Sequence, residues 1–159
     1  MKYVIRDAFI RMVNKLSAER GPILADLREI QATYSGTDDL ENTLRELDER
    51  LNREADAVQD LITTNARVAQ NQDEYSVRYD ALVSGYEATK KERDRVAAEI
   101  RQKGIRRREF QRFITALENL PEEVTEFEEG MWSDLVECLA VYAKDDLRFT
   151  LPCGTEIKA

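Results

Sequence analysis

The chain is predicted to be mainly α-helical: a long antiparallel coiled-coil helical hairpin on a small α+β base, closed by a C-terminal antiparallel β-hairpin or three-stranded sheet. Three observations predict this. Six Gly and three Pro in 159 residues, with 35% of residues charged, favour long amphipathic helices over a sandwich, a barrel or collagen. Two strips of residues spaced alternately four and three apart, divided by one polar break, carry a heptad seam out and back. Near the C-terminus the apolar period changes from helical to two. The length allows one domain, or one domain with an extended appendage. The expected division is residues 1–37 as part of the base, 38–103 as the arm, and 104–159 as C-terminal helices and sheet.

The first segment, Tyr3 to about Gln31, places Val4, Ala8, Phe9, Met12, Val13 and Leu16 at helical spacing. After Gly21-Pro22 the pattern resumes with Ile23, Leu24, Leu27 and Ile30. Pro22 either kinks one helix or starts a second, because it donates no amide hydrogen bond and clashes with the preceding turn. Tyr34-Ser35-Gly36-Thr37 reads as a break, and Asp38 followed by Glu41 reads as a capping-box-like start.

The outgoing heptad strip is Leu40, Leu44, Leu47, Leu51, Glu54, Val58, Leu61 and Asn65. Gln70-Asn71-Gln72-Asp73 interrupts it. The returning strip is Tyr75, Tyr79, Leu82, Tyr86, Thr89, Arg93, Val96 and Ile100. The tip then falls near residues 66–74, and an arm of about 27 residues reaches roughly 40 Å. Glu54, Thr89 and Arg93 occupy positions that prefer aliphatic side chains, so the seam is expected to be weak. Glu54 and Arg93 are placed to pair across it. Gly85 in the returning helix costs about 1 kcal/mol relative to Ala.

Gly104 is expected to end or bend that helix. Arg106 to Leu120 reads as a further helix, with Phe110, Phe113, Ile114 and Leu117 on one face and Pro121 closing it. Phe127 to about Glu137 reads as a shorter one. Leu139, Val141 and Ala143 then alternate, Lys144-Asp145-Asp146 turns, and Leu147, Phe149 and Leu151 alternate again. Cys153-Gly154 makes another turn before Thr155-Glu156-Ile157. One sheet face should pack on helices, with Phe9, Met12, Phe113, Leu117, Trp132 and Leu135 covering it.

The chemistry available is limited. The absence of His removes Ser-His-Asp and Cys-His catalysis and the commonest metal ligand. Cys138 and Cys153 lack zinc-site spacing and read as reduced thiols. No GxGxxG, Walker loop or HExxH occurs. No apolar run approaches the roughly 18 residues of a membrane span, and no signal-peptide core opens the chain. The expectation is a soluble chain that is not itself an enzyme, with no catalytic, cofactor or metal residue and no membrane partner.

Two surfaces stand out as candidates. Val68 and Ala69, with Tyr75 just beyond, place apolar groups at the tip, either to contact another protein or a second copy, or to fold over locally. The basic cluster Lys103, Arg106, Arg107, Arg108 and Arg112 stands out within a chain of net charge −8. It either touches nucleic-acid phosphates or balances the acidic run that follows, where residues 118–137 carry eight acids and no base. The alternative function is therefore an accessory DNA-contacting module.

Phe127-Glu128-Glu129-Gly130-Met131-Trp132, Leu135-Val136, Val141-Tyr142, Asp145-Asp146-Leu147-Arg148-Phe149-Thr150 and Gly154-Thr155-Glu156-Ile157 resemble the C-terminal end of large serine recombinases. These are site-specific integrases, transposases and resolvase-like enzymes of phages and mobile elements. Ala8-Phe9-Ile10-Arg11-Met12-Val13-Asn14-Lys15-Leu16 resembles the segment after that family's zinc ribbon, and a heptad hairpin between the two blocks is the family's order. The resemblance implies a part without the serine-centred catalytic domain and the zinc ribbon, both expected upstream, with zinc held there and Met1 an artificial start. It implies a coiled-coil arm contacting other recombinase subunits, which governs synapsis and the choice of integration or excision. DNA would be held by the upstream domains. The implied location is the cytoplasm, for a bacterial or phage-encoded protein associated with the nucleoid.

Overall fold

The computed structural model describes residues 1–33 and 36–159. Tyr34 and Ser35, within the expected break, lie outside the described residues. In chain order the described elements are α1 (Lys2–Ala18), α2 (Arg20–Thr33), α3 (Asp38–Arg67), α4 (Gln72–Glu118), α5 (Glu129–Leu135), β1 (Cys138–Ala143), β2 (Asp146–Thr150) and β3 (Glu156–Lys158). The chain is mainly helical, at 73%, with one small three-stranded antiparallel sheet. It divides into two units, one of Met1–Ser35 with Ile105–Ala159 and one of Gly36–Gly104.

In the first unit, α1 buries the stripe read from its spacing: Ala8, Phe9, Met12, Val13 and Leu16. The break from α1 to α2 comes at Glu19, and Pro22 sits in the first turn of α2, so it starts a second helix there. A first-turn residue has no intrahelical acceptor for its N–H, so proline loses nothing. Leu24 and Leu27 bury the α2 face. Phe113, Ile114 and Leu117 of α4, then Leu120, Val124, Leu135 and Val136, join the same core as Leu147, Phe149 and Leu151. Each fully buried large apolar side chain contributes roughly 1.5–3 kcal/mol, so this shared core is the main stabilising term of the unit.

The sheet order is β1-β2-β3. Leu139 faces Phe149, and Phe149 faces Ile157, so one residue of the middle strand aligns both neighbours. Phe149 also meets Phe9 at 6.3 Å and Trp132 at 5.8 Å between ring centroids. The expected alternation holds in β2, where Leu147 and Phe149 are buried. It fails at the end of β1. Val141 is 42% exposed and Ala143 is exposed, although Val141 sits opposite buried Leu147 and lines a groove with Val4 and Ile5; the register shifts between Val141 and Ala143. Asp146, expected in the turn, belongs to β2.

The turn after β2 closes through a bond from the Gly154 N–H to the Leu151 carbonyl at 2.8 Å. Gly154 there has a φ of 87°, which glycine adopts without a Cβ clash. The helix expected from Phe127 to about Glu137 is shorter, since Glu128 and Val136 are both extended. The connection between α4 and α5 is tied to α1 by side chains. Asn14 bonds both backbone groups of Val124, the Ser17 hydroxyl donates to the Pro121 carbonyl at 2.6 Å, and Arg20 donates to the Leu120 carbonyl.

In the second unit, α3 starts one residue earlier than the capping-box reading. Thr37 is the N-cap and its hydroxyl donates to the Glu41 carboxylate at 2.8 Å, while Asp38 moves into an acid-rich first turn. No residue of α3 is fully buried. Leu40, Leu44, Leu47, Leu51, Glu54, Val58, Leu61 and Asn65 are each half-buried, as a single apolar face would be. Asn71 caps α4, its side-chain oxygen accepting the Asp73 and Glu74 N–H groups at 2.9 and 3.3 Å. Gly104 neither ends α4 nor leaves Arg106–Leu120 as a separate helix, for α4 continues to Glu118. One glycine costs only about 1 kcal/mol, and the lysine, glutamine and arginines around it are good helix formers.

Candidate functional site

The candidate tip is built by the end of α3 and the start of α4. Arg67 ends α3, and Val68 leaves it in extended conformation with its N–H still bonded to the Thr64 carbonyl at 2.9 Å. The side chain of Val68 is thereby turned to solvent at 58% exposure, and Ala69 is exposed beside it. Gln72 bridges the connection, donating to Asn65 at 3.2 Å and to the Gln70 carbonyl at 3.1 Å. Tyr75 differs from the other two. It is half-buried and stacks on Tyr79 with centroids 6.1 Å apart, so much of its ring is occupied.

Val77, 70% exposed on the second turn of α4, went unnoticed in the sequence. It lies off the heptad strip, and a β-branched apolar residue at a solvent position was the available signal. Ile62, at 38% exposure near the end of α3, is another such residue.

Further from the α3–α4 connection, polar residues occupy three of the heptad positions read from the sequence. Thr89 is buried and donates to Glu54 at 3.1 Å, and Arg93 donates to Asp48 at 2.8 Å. Along with Asn65–Gln72, these pairs descend α3 as they ascend α4. Glu54 and Arg93 therefore do not pair with each other, as the sequence spacing had suggested. Arg50, one turn before Glu54, reaches its carboxylate at 2.8 Å, while Asp48 and Asp94 hold Arg93. Partial burial works against a charge on Glu54, but hydrogen bonds from Arg50 and Thr89 outweigh it and hold the carboxyl below its ordinary range.

The basic cluster is not one set. Lys103 is half-buried and belongs to the Gly36–Gly104 unit. Arg106, Arg107 and Arg108 are exposed in the other unit. Arg112 is engaged, its guanidinium 2.6 Å from Asp134 of α5. Arg108, Arg112, Met131 and Asp134 line an open groove of about 680 Å³ between the end of α4 and α5. On the sheet, Arg148 holds Asp146 through two bonds of 3.0 and 3.2 Å, with Glu156 at 3.2 Å and the Tyr142 ring beneath it. These hydrogen bonds from Arg148 hold the Asp146 carboxyl below its ordinary range.

Among the described residues no three Cys, Asp or Glu side chains converge as a metal site requires. No described helix is long and apolar enough to cross a membrane. Compared with known proteins, the chain matches no family model, no curated sequence and no solved structure.

Proposed function

We propose that the chain is the non-catalytic C-terminal region of a site-specific serine recombinase. In this reading α3 and the first part of α4 form an antiparallel coiled-coil arm whose tip contacts other DNA-bound subunits during integration and excision. The observation that carries it is the tip itself. Val68 and Val77, 58% and 70% exposed, stand where two long polar helices meet and no core shelters them. The half-buried heptad strip and the side-chain pairs descending α3 and ascending α4 support a two-stranded seam. The resemblance at both ends of the chain supplies the recombinase context. Catalysis and zinc binding fall to other parts of such a protein, and its workplace is the nucleoid in the cytoplasm.

Sedimentation velocity over a concentration series tests the contact. The chain should self-associate weakly and reversibly, and Val68→Asp with Val77→Asp should abolish this while helix content stays unchanged. A monomer at the highest concentration, or association indifferent to both substitutions, would count decisively against the arm reading.

A further inference from the structure

We infer that the outer edge of β1 pairs with the same edge of a second copy of the chain, antiparallel about a two-fold axis at Ala140. The inference rests on the sheet alone and does not require the tip contact. The two edges of the sheet, β1 and β3, differ. β3 is three residues long and carries Glu156 and Lys158, the short charged edge that discourages further pairing. β1 is six residues long, has neither a charge nor a proline, and exposes four of the six.

Backbone alternation identifies the groups that face outward. Ala159 donates to the Leu147 carbonyl and Leu151 to the Thr155 carbonyl, so Leu147, Phe149 and Leu151 bond on the β3 side. The β2 groups turned to β1 therefore belong to Arg148 and Thr150, opposite Ala140 and Cys138. Leu139 and Val141 point their N–H and C=O groups outward, and no hydrogen bond among the described residues satisfies them.

This edge is complementary to itself. With the axis at Ala140, Leu139 of each copy exchanges backbone bonds with Val141 of the other. Ala140 then faces Ala140 in a non-hydrogen-bonded pair, where Cα atoms come within about 4.5 Å and a small side chain fits. The neutral strand is flanked by Glu137 and Lys144. Antiparallel pairing brings the Glu137 end of each copy beside the Lys144 end of the other, whereas parallel pairing would set like beside like. Leu139 packs against the core, and Val141 lines an apolar groove of about 370 Å³ with Met1, Val4, Ile5 and Leu147. Both residues share one side of the strand, so Leu139 of the second copy comes next to that groove. The regular ladder stops at the register shift between Val141 and Ala143. So short an edge falls below the roughly 1,200 Å² of a stable complex, and the pair is transient in free solution.

Disulfide trapping of the whole chain tests this. In a Cys138→Ser, Cys153→Ser background, Ala140→Cys puts a thiol on the axis, and Asp145→Cys puts one at an exposed site away from it. Each rate of dimer linkage is normalised to the reaction of the same thiol with a small aromatic disulfide. Ala140→Cys should link at least roughly tenfold faster than Asp145→Cys, because pairing holds its two sulfurs within disulfide reach. Val141→Lys should return Ala140→Cys to the control rate, and so should Val141→Pro, which removes an N–H that β2 does not use. Circular dichroism and Trp132 fluorescence should stay parent-like in both. Val68→Asp with Val77→Asp should leave the trapping unchanged, which separates this contact from the tip. A peptide of residues 137–144 should slow the trapping, and its scrambled counterpart should not. Equal linkage rates at the two cysteines, indifference to both Val141 substitutions, or loss of trapping with the tip substitutions overturns the proposal. Equal slowing by the two peptides would assign the edge to strands in general, and overturns the second copy as its occupant.

Discussion

Asn14 and Val124, 110 positions apart, are joined by both ends of one side-chain amide: its nitrogen donates to the Val124 carbonyl at 3.0 Å, and its oxygen accepts the Val124 N–H at 2.7 Å. The amide acts as a one-residue strand edge, satisfying a segment that has no regular structure of its own. Val124 is itself 6% exposed, so its backbone groups have little access to water as a substitute. Asn14→Ala should cost about 2 kcal/mol, the typical penalty for leaving such groups unpaired. Asn14→Asp should cost at least as much, since a carboxylate keeps the acceptor but faces the carbonyl without a donor. Urea unfolding followed by Trp132, the chain's one tryptophan and part of this unit's core, is the measurement. An unchanged midpoint in both variants would show that the connection holds without the amide.

Thr89 and Glu54 make a polar layer where the heptad pattern asks for aliphatic side chains. One carboxylate oxygen of Glu54 is shut off from solvent without a hydrogen-bond partner, so the layer is only partly satisfied. Thr89→Val should destabilise the Gly36–Gly104 unit by about 1 kcal/mol, because it removes a donor and leaves the acceptor in place. Adding Glu54→Leu should reverse the sign and leave the double variant more stable than the parent, as apolar replacement of a poorly satisfied polar pair commonly does. Thermal melts followed at helical wavelengths distinguish the outcomes. A double variant less stable than Thr89→Val alone would mean that the layer contributes net stability.

Glu54 and Asp146 contribute to the acid side of the stability curve, beside Glu92, which the hydrogen bond from Arg95 also holds below its ordinary range. Glu54 and Asp146 both titrate below their ordinary values of 4.5 and 3.8, the first through Arg50 and Thr89 against the effect of burial, the second through Arg148. A group depressed in the folded state contributes fully above its unfolded value and loses that contribution as pH falls through its folded value. Stability should therefore decline from about pH 4.5 downward. Glu54→Gln should flatten that decline for the long helices, and Asp146→Asn for the sheet. Melts at a series of acidic pH values provide the check, and parent-like acid sensitivity in both variants would rule the two carboxyls out as its source.

Two glycines should respond with opposite signs. Gly85 lies inside α4, and a Cβ there would meet nothing within 4 Å. Gly85→Ala should therefore stabilise by roughly 0.5–1 kcal/mol through helix propensity. A Cβ at Gly154 would also meet nothing within 4 Å, but φ there is 87°. Gly154→Ala should cost about 1–2 kcal/mol from backbone strain alone. Equal shifts of the same sign in thermal melts would contradict the argument.

Much of the fold was legible because it is written at short range. The stripe Ala8, Phe9, Met12, Val13 and Leu16 and the heptad strip from Leu40 to Asn65 each repeat within a few residues, and the burial follows them. The polar break at Gln70–Asp73 was readable because Asn71 is a natural cap. Boundaries were less legible. Gly104 read as the end of the helix or a bend in it, and α4 runs through it to Glu118, since helix continuation is decided by the summed preference of its neighbours. Val141 read as core, yet it is 42% exposed at the end of β1, opposite the buried Leu147.

The candidate surfaces divide in the same way. That Val68 and Ala69 are exposed follows from their place beyond the helix end, and that Arg106–Arg108 are basic is plain in the letters. Which arginines stay unengaged was not. Arg112 meets Asp134, Arg93 meets Asp48 rather than Glu54, and Tyr75 spends a face on Tyr79. The sequence by itself determined the helices, the period change into strands and the distribution of charge, because each depends on neighbours within one or two turns. Only the tertiary structure decided the partners, from Asn14 and Val124 to Phe9 and Phe149. A side chain's chemistry states what it can bond, but the choice among many equivalent groups belongs to whichever one packing brings within about 3 Å.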